Sequence, residues 1–445
     1  MGFGWWRLFG AAVAGILFFH GFCFSEKAPN YTFMHEATSA PNTTYYDYII
    51  IGGGTAGCPL AATLSQNYSV LLLERGGSPY GNNNITNLDA FGQALSDLSP
   101  TSPSQRFISE DGVISARARV LGGGSCLNAG FYSRAATDYV KRVGWDGRLA
   151  NESYQWVEKL VAFQPPMKQW QSAVRDGLVE VGVVPDNGFT YDHLYGTKLR
   201  SPSSKLLESL TLEAISKPPV VKTLPAEALT ETSECFPLRL VSSLTVPPKQ
   251  RTPEAIAKAV ESMSNLDEAV FRGGFILEKI MGPLSTGHLE LRNRNPNENP
   301  SVTFNYFKEP EDLQRCVEGI RTIERIIESK SFSKFRYDGM SVQTLLNMTA
   351  SAPVNLLPKH SNVSTSLEQF CRDTVMTIWH YHGGCQVGMV VDRDYKVLGV
   401  DALRVIDGST FNYSPGTNPQ ATVMMLGRYM GVRILSERLA SDTSN

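Results

Sequence analysis

The chain has almost no net charge, no internal repeat and no low-complexity block. Its 41 Lys and Arg stand against 43 Asp and Glu, a formal charge of -2, so it lacks the clustered basic surface that nucleic-acid binding relies on. A small molecule is the partner class left in front. No cysteine spacing forms a metal site. Nor is there an apolar run of the ~20 residues that a membrane-spanning helix needs. The N-terminal run is shorter, from about Leu8 to Phe19, and lies between the single cation Arg7 and small or mildly polar residues around Gly21 to Ser25. That layout is expected of a secretory signal peptide covering residues 1–25, whose removal leaves a secreted chain with no stable membrane span. Trp5 and Trp6 keep a signal anchor open as the alternative.

What is present supports a substantial fold. A length of 445 residues with 42% apolar content suits two or three domains with a sizeable core. In a secreted chain Cys23 leaves with the signal, and Cys58, Cys126, Cys235, Cys316, Cys371 and Cys385 remain. Cys58 reads as a small buried residue of a helix. The best disulfide candidates are Cys316, in the helical run Glu311 to Glu328, and Cys371, in the run Ser366 to Thr374. Sequons at Asn30, Asn42, Asn84, Asn347 and Asn362 would accept glycans if exposed, whereas Asn67 is expected to be hidden beside a strand.

Two glycine clusters stand out. In the first, Tyr46 to Gly57, an apolar strand leads into Gly52, Gly54 and Gly57, with Thr55 and Ala56 completing the turn before a helix-forming run. Gly52 permits the tight turn, Gly54 lets backbone approach a pyrophosphate, and Gly57 lets helix and strand pack closely. The helix N-terminus then offers free N–H groups to phosphate. A second strand, Ser69 to Leu73, ends at Glu74, where a ribose 2'-hydroxyl would find an acceptor, with Arg75 next in line. The second cluster runs from Arg119 through Val120, Gly122, Gly123 and Ser125 to Asn128.

Elsewhere the pattern is coarser. Residues 26–44 read as a polar arm and Asn82 to Glu110 as loop. Helices are expected at Asn151 to Phe163, Lys168 to Val181, Thr252 to Ser264, Pro310 to Glu328 and Val423 to Leu439, and strands at Phe275 to Ile280 and Gly287 to Leu291. Leu199 to Leu240 shows no sustained period.

The last part of the chain carries Thr377-Ile-Trp-His-Tyr-His-Gly-Gly-Cys385, Leu403-Arg-Val-Ile-Asp-Gly-Ser-Thr410 and Pro415-Gly-Thr-Asn-Pro-Gln-Ala-Thr422. With the two glycine clusters, these segments resemble the flavin-dependent glucose-methanol-choline oxidoreductase family, above all its plant branch of HOTHEAD-like and mandelonitrile-lyase-like proteins. The resemblance covers Tyr45 to Lys198 and about Pro248 to the C-terminus. It implies FAD as cofactor. Gly52, Gly54, Gly57 and Glu74 then take the ADP half, while Gly122, Gly123, Ser125 and Asn128 wrap the pyrophosphate and flavin. It further implies that Asp407 and Gly408 contact the phosphates and ribityl chain, and that Asn418 and Gln420 precede a helix facing the flavin pyrimidine. His380 matches the active-site base, since an imidazole titrates near working pH. Asn418 matches its polar partner, which would hold the substrate oxygen without titrating. His382 reads as a hydrogen-bonded neighbour, on the same side as His380 if the segment is a strand.

One departure stands out. Family members hold, between the regions matching Lys198 and Pro248, several strands of the FAD domain and a second signature of the type Gly-x-x-x-Ser-Pro-x-x-Leu-x-x-Ser-Gly-Ile-Gly, absent here. The chain therefore reads as internally shortened. The strand before Gly52 is expected to keep an unpaired edge and an open face.

The expected fold class is an α/β FAD-binding Rossmann-like domain, incomplete, with an α+β substrate-binding domain built on an antiparallel sheet. Residues 45–140 and 395–445 are assigned to the first, 141–198 and 248–394 to the second, and 199–247 to an irregular junction. The function implied is oxidation of a CH–OH group on an aryl or long-chain hydroxy substrate, with a hydroxynitrile lyase using non-redox FAD as the alternative. An inactive shortened member unable to hold FAD is the third reading.

Overall fold

The computed structural model describes residues 33–39, 44–86, 94–95, 97, 99–128, 130–164, 167–199, 211–215, 226–231, 275–336, 339–351, 366–416 and 418–442. The expected signal segment, the sequons at Asn30, Asn42 and Asn362, and the helix expected at Thr252 to Ser264 lie outside those residues. The chain divides into two compact units. One comprises residues 1–44 and 80–82, whose described part holds a single 3-10 turn, Ala37–Ser39. The other comprises residues 45–79 and 83–445 and contains everything below.

The β-branched run Tyr48–Ile51 forms strand β1. Gly52, at φ 101°, turns the chain into helix α1, Gly57–Leu64, which returns to strand β2, Val70–Leu73. β1 and β2 pair in parallel from Tyr48↔Val70 to Ile51↔Leu73. A Cβ on Gly57 would fall 2.0 Å from the Gly52 carbonyl oxygen, so the close helix–strand approach expected there exists and requires glycine. Among the described residues β1 hydrogen-bonds to β2 alone. Ile49 and Ile51 are 61% and 85% exposed, so the open face expected of a shortened sheet is present.

β3, Ser104–Ile108, and β4, Ile114–Ala118, form an antiparallel hairpin. The loop expected at Asn82 to Glu110 thus ends in a strand, held because every residue of β3 has a register partner on β4. Helices α2, Thr137–Val143, and α3, Gly147–Val161, follow, the latter capped by the Asp146 carboxylate accepting from Leu149 N–H.

Next come α4, Gln169–Glu180, and a five-stranded sheet of β5, Asp186–Phe189, β6, Gly196–Leu199, β7, Thr211–Ile215, β8, Ala226–Glu231, and β9, Phe275–Ile280, in that order. β5 and β6 are parallel and the remaining pairs antiparallel. The irregular junction expected over 199–247 is corrected here, because it supplies β7 and β8. Their Ala- and Glu-containing sequences have weak intrinsic β-preference. Pairing on both sides of each strand, not local propensity, makes them strands.

β10, His288–Glu290, pairs with β11, Ser301–Thr303. Helix α5, Pro310–Glu328, has the bounds its apolar stripe predicts, with Pro at its N-terminus. Helices α6, Val342–Ser351, and α7, Leu367–Thr374, precede the segment that carries His380. Cys316 of α5 and Cys371 of α7 form the expected disulfide, their Cα atoms 6.2 Å apart. It is buried beside Val317, with Ile280 packed against the cluster.

The chain's last described helix, α8, spans Gln420–Asp442. A Cβ on Gly427 would lie 2.2 Å from the Ala56 carbonyl oxygen, and one on Gly431 2.7 Å from the Thr63 Cβ. Two glycines four residues apart thus notch α8 so that α1 lies against its backbone. Ile50, Leu60, Leu64 and Ile434 close the contact. The other face of α8 joins the largest core, in which Tyr132, Trp145, Tyr154, Phe411, Met425 and Tyr429 meet. Two of its polar tips are paired: Trp145 Nε1 donates to Tyr395 Oη at 2.9 Å, and Tyr154 Oη and Thr422 Oγ1 lie 2.9 Å apart.

Candidate active site

The two glycine clusters meet. Gly122 N–H donates to Gly53 O at 2.6 Å and Leu121 N–H to Gly77 O at 2.9 Å, beside a bridge between Gly77 and Val120. Gly123 sits so close to the first turn that a Cβ on it would lie 2.7 Å from the Gly54 Cα. Ser125 Oγ donates to Gly122 O at 2.5 Å, Asn128 Nδ2 donates to Ser125 O, and Gly130 N–H donates to Asn128 Oδ1 at 2.6 Å, which hold the second loop in its bend. In front of the first turn there is room. Nothing lies within 4 Å of the place a Gly52 Cβ would take, and only the Gly123 Cα, at 3.9 Å, approaches that of Gly54. Thr55 and Ala56 lead from this space into α1, whose positive dipole end lies behind it.

Glu74 ends β2 as expected, and its carboxylate accepts from Gly53 N–H at 2.9 Å and Gly76 N–H at 2.7 Å. It braces the phosphate turn, and each oxygen keeps a further lone pair for another donor. Arg75 turns elsewhere, donating to Pro296 O and Gln105 Oε1, both at 2.8 Å. Cys58 is half-buried rather than sealed in the core, its thiol donating to Gly53 O at 3.2 Å. Burial raises its pKa, and burial likewise pushes the Cys126 thiol up to about 11. Asn67 is exposed, contrary to expectation.

At the other end, Asn418 is buried just before α8, 6% exposed, with its Nδ2 3.4 Å from His380 Nε2. Gln420 is the first residue of α8. Asp407 accepts from Ser409 N–H at 2.8 Å and caps the turn Gly408–Thr410. A Cβ on Gly408 would lie 3.6 Å from Val423 on α8 and 3.7 Å from Tyr381 O, which places this turn between α8 and the histidine segment. That segment is not a strand. Trp379 adopts φ 61°, uncommon for a bulky residue, and its N–H donates to Thr377 Oγ1 at 3.1 Å. His382 is nonetheless a neighbour of His380, its Nδ1 3.3 Å from His380 O. Loss of hydration lowers the pKa of His382, against its hydrogen bond to His380 O, which raises it.

Two features escaped the sequence reading. Tyr381 stacks on Phe304 with ring centroids 5.6 Å apart, and Phe304 on Tyr306 at 5.1 Å, while Tyr381 Oη bonds Ser115 Oγ. These residues come from separated segments, so no local pattern marks the stack. Lys279 is buried within β9, 7% exposed. Its signal was legible, a lysine inside the apolar strand Phe-Ile-Leu-Glu-Lys-Ile.

This fold is that of FAD-dependent oxidoreductases. A solved formate oxidase variant from Aspergillus oryzae RIB40 superposes with a TM-score of 0.61 at 15% identity, covering 89% of this chain and 99% of that one. The pyridoxine 4-oxidase from Mesorbium loti gives 0.58 at 16% identity, covering 87% and 99%. In sequence, residues 283–427 match the family GMC oxidoreductase. The chain is 42% identical to Protein HOTHEAD of Arabidopsis thaliana, over 94% of this chain and 93% of that one. It is 39% identical to the (R)-mandelonitrile lyase-like protein of the same plant, over 92% and 93%, and 34% identical to the sinalpyl alcohol oxidase Nec3 of Nesocodon mauritianus, over 93% and 92%. The chain belongs to the GMC oxidoreductase family, and its cofactor is FAD.

The comparison with HOTHEAD spans 555 positions although this chain has 445 residues, so more than a hundred positions have no counterpart here. Those positions lie within the span the two chains share, since it covers 93% of HOTHEAD. The residues that remain fit the cofactor. The open space before Gly52 and Gly54 at the head of α1 suits a pyrophosphate, which only glycine backbone could approach so closely.

Proposed function

We propose that this chain is a secreted FAD-dependent oxidoreductase acting on the CH–OH group of an aryl or long-chain hydroxy substrate. His380 Nε2 takes the hydroxyl proton, and the Asn418 amide holds the same oxygen. The observation that carries this reading is the approach of Asn418 Nδ2 to His380 Nε2, 3.4 Å apart at the head of α8. The positive end of α8 would favour negative charge developing on the substrate oxygen. Bound FAD supplies the hydride acceptor. Gly52, Gly54, Gly57 and Glu74 hold its ADP half, and Gly122, Gly123, Ser125, Asn128, Asp407 and Gly408 hold the rest. The test is the visible spectrum of the purified mature protein under anaerobic aryl alcohol. Bleaching of the oxidised flavin bands supports the reading, and bound flavin that no alcohol bleaches sinks it.

The lyase alternative draws support from the 39% identity to a mandelonitrile lyase-like protein and 33% to the (R)-mandelonitrile lyase 1 of Prunus serotina. The same base would take the cyanohydrin proton as cyanide departs. Cyanide release from mandelonitrile without flavin bleaching selects it. A purified chain that neither carries nor takes up flavin rejects both, leaving the inactive shortened member.

A further inference from the structure

The turn that leads into His380 is held by a side chain that the proposed proton transfer does not use. Trp379, the residue before His380, adopts φ 61°. A bulky residue keeps that conformation only where its surroundings hold it there. Thr377 supplies the hold. Its Oγ1 accepts from Trp379 N–H at 3.1 Å, a local bond in which a hydroxyl two residues back takes the place of a regular backbone partner.

Thr377 is itself fixed. It is 3% exposed, and its side chain is the hydrogen-bond partner of the Tyr306 and Tyr381 hydroxyls. A threonine hydroxyl has one proton to donate and two lone pairs to accept with, enough for Trp379 N–H and both tyrosines. The two tyrosines come from separate segments and are joined through Phe304, whose ring stacks on Tyr306 at 5.1 Å and on Tyr381 at 5.6 Å. Tyr381 Oη also bonds Ser115 Oγ of β4. Thr377 thus stands where the histidine segment is tied to the β3–β4 hairpin and to the chain after β11. On the other side of the Trp379 turn, His380 Nε2 lies 3.4 Å from Asn418 Nδ2. A turn free to relax would swing the imidazole with the backbone that carries it.

We infer that Thr377 is a positioning residue for the base: by fixing the Trp379 turn it sets the His380 imidazole against Asn418. It acts through His380 and not on the substrate. The inference rests on the reading of His380 as the base and adds the side chain that aims it.

The test is the rate of flavin reduction by benzyl alcohol, an aryl alcohol, in anaerobic single turnovers of the purified holoprotein, taken per bound flavin. T377V removes the hydroxyl and keeps the shape of the side chain. It is expected to slow reduction by up to about 10²-fold, the scale of a small misplacement at a reacting centre, with flavin content and the apparent Kd for benzyl alcohol unchanged. T377S restores the hydroxyl and is expected to reduce its flavin at close to the wild-type rate. A T377V rate equal to wild type, or a T377S rate as low as that of T377V, overturns the inference. If T377V does not fold, T377C takes its place with the same outcomes, because a thiol is only a weak acceptor. The double variant T377V/H380A is expected to be as slow as H380A alone, since a residue that acts through His380 then has nothing left to act on. A further drop in the double variant would put the effect of Thr377 elsewhere and overturn the inference. H380A that reduces at the wild-type rate overturns the base reading, and the inference with it. A slow H380A beside an unimpaired T377V leaves the base reading standing and removes Thr377 alone.

Discussion

The phosphate turn and the candidate catalytic end of this chain are built with unequal support. At the second, Asn418 is buried at the head of α8, the turn at Asp407 lies between α8 and the histidine segment, and α8 itself joins a large aromatic core. Around Gly52, two short strands carry the turn, and one face of β1 exposes Ile49 and Ile51 to solvent. The difference shows that a phosphate turn depends on local fit more than on the width of the sheet behind it. Glycine contacts between the two loops, the Glu74 carboxylate and the α1–α8 contact all act within a few residues of the turn.

The largest test of that comparison is Gly57→Val. Its side chain would fall on the Gly52 carbonyl oxygen, so loss of bound flavin and of soluble protein is expected, read by the ratio of visible to ultraviolet absorbance. A G57V protein that keeps flavin would break the claim that local fit holds the phosphate end. His380→Ala probes the other end. It is expected to keep its flavin spectrum while kcat falls by roughly 10²–10⁴-fold, the usual worth of a general base. Flavin loss in H380A would mean that the two ends are not separable.

Glu278 of β9, packed against α5, gives a pH-dependent test. Both its carboxyl oxygens are out of solvent with no hydrogen-bond partner among the described residues. Burial, then the charge of Glu318, raises its pKa well above the usual carboxylate value. The unfolded chain therefore gives up this proton at lower pH than the folded one. Its contribution to stability is fully present below the unfolded pKa and is lost as pH rises toward the folded pKa, by at most about 1.4 kcal/mol per pH unit. E278Q is expected to be more stable than wild type at neutral pH and to flatten the decline above about pH 5, measured by denaturant unfolding across a pH series. A parallel decline in both proteins would remove Glu278 as its cause. The smallest effect is reserved for Ile51→Thr on the open face. A stability change within about 0.5 kcal/mol is expected, with reduced aggregation in light scattering. A loss as large as a core substitution would show that something covers β1 after all.

Much of the site was legible because its chemistry needs residues that carry their own signals. Gly52, Gly54 and Gly57 announce a backbone approach, and His380 with Asn418 stands in a dense local pattern. The α5 helix was readable to the residue because its apolar stripe and Pro310 act locally. What stayed hidden depends on distant partners. β7 and β8 are strands through their pairing, and the Tyr381–Phe304–Tyr306 stack joins chain segments far apart in sequence. The histidine segment failed as a strand because the Trp379 turn, invisible to composition, bends it.

The notch in α8 has a consequence for how the two ends of the site are spaced. Gln420 at the helix head stands two residues after Asn418, the proposed partner of His380, and Gly427, seven residues on, seats the helix that carries the phosphate turn. At about 1.5 Å per residue, that rod sets a spacing of roughly 10 Å between proton chemistry and phosphate anchor. The ruler is a single unbroken helix near the C-terminus. Nothing in that spacing depends on the width of the sheet behind β1.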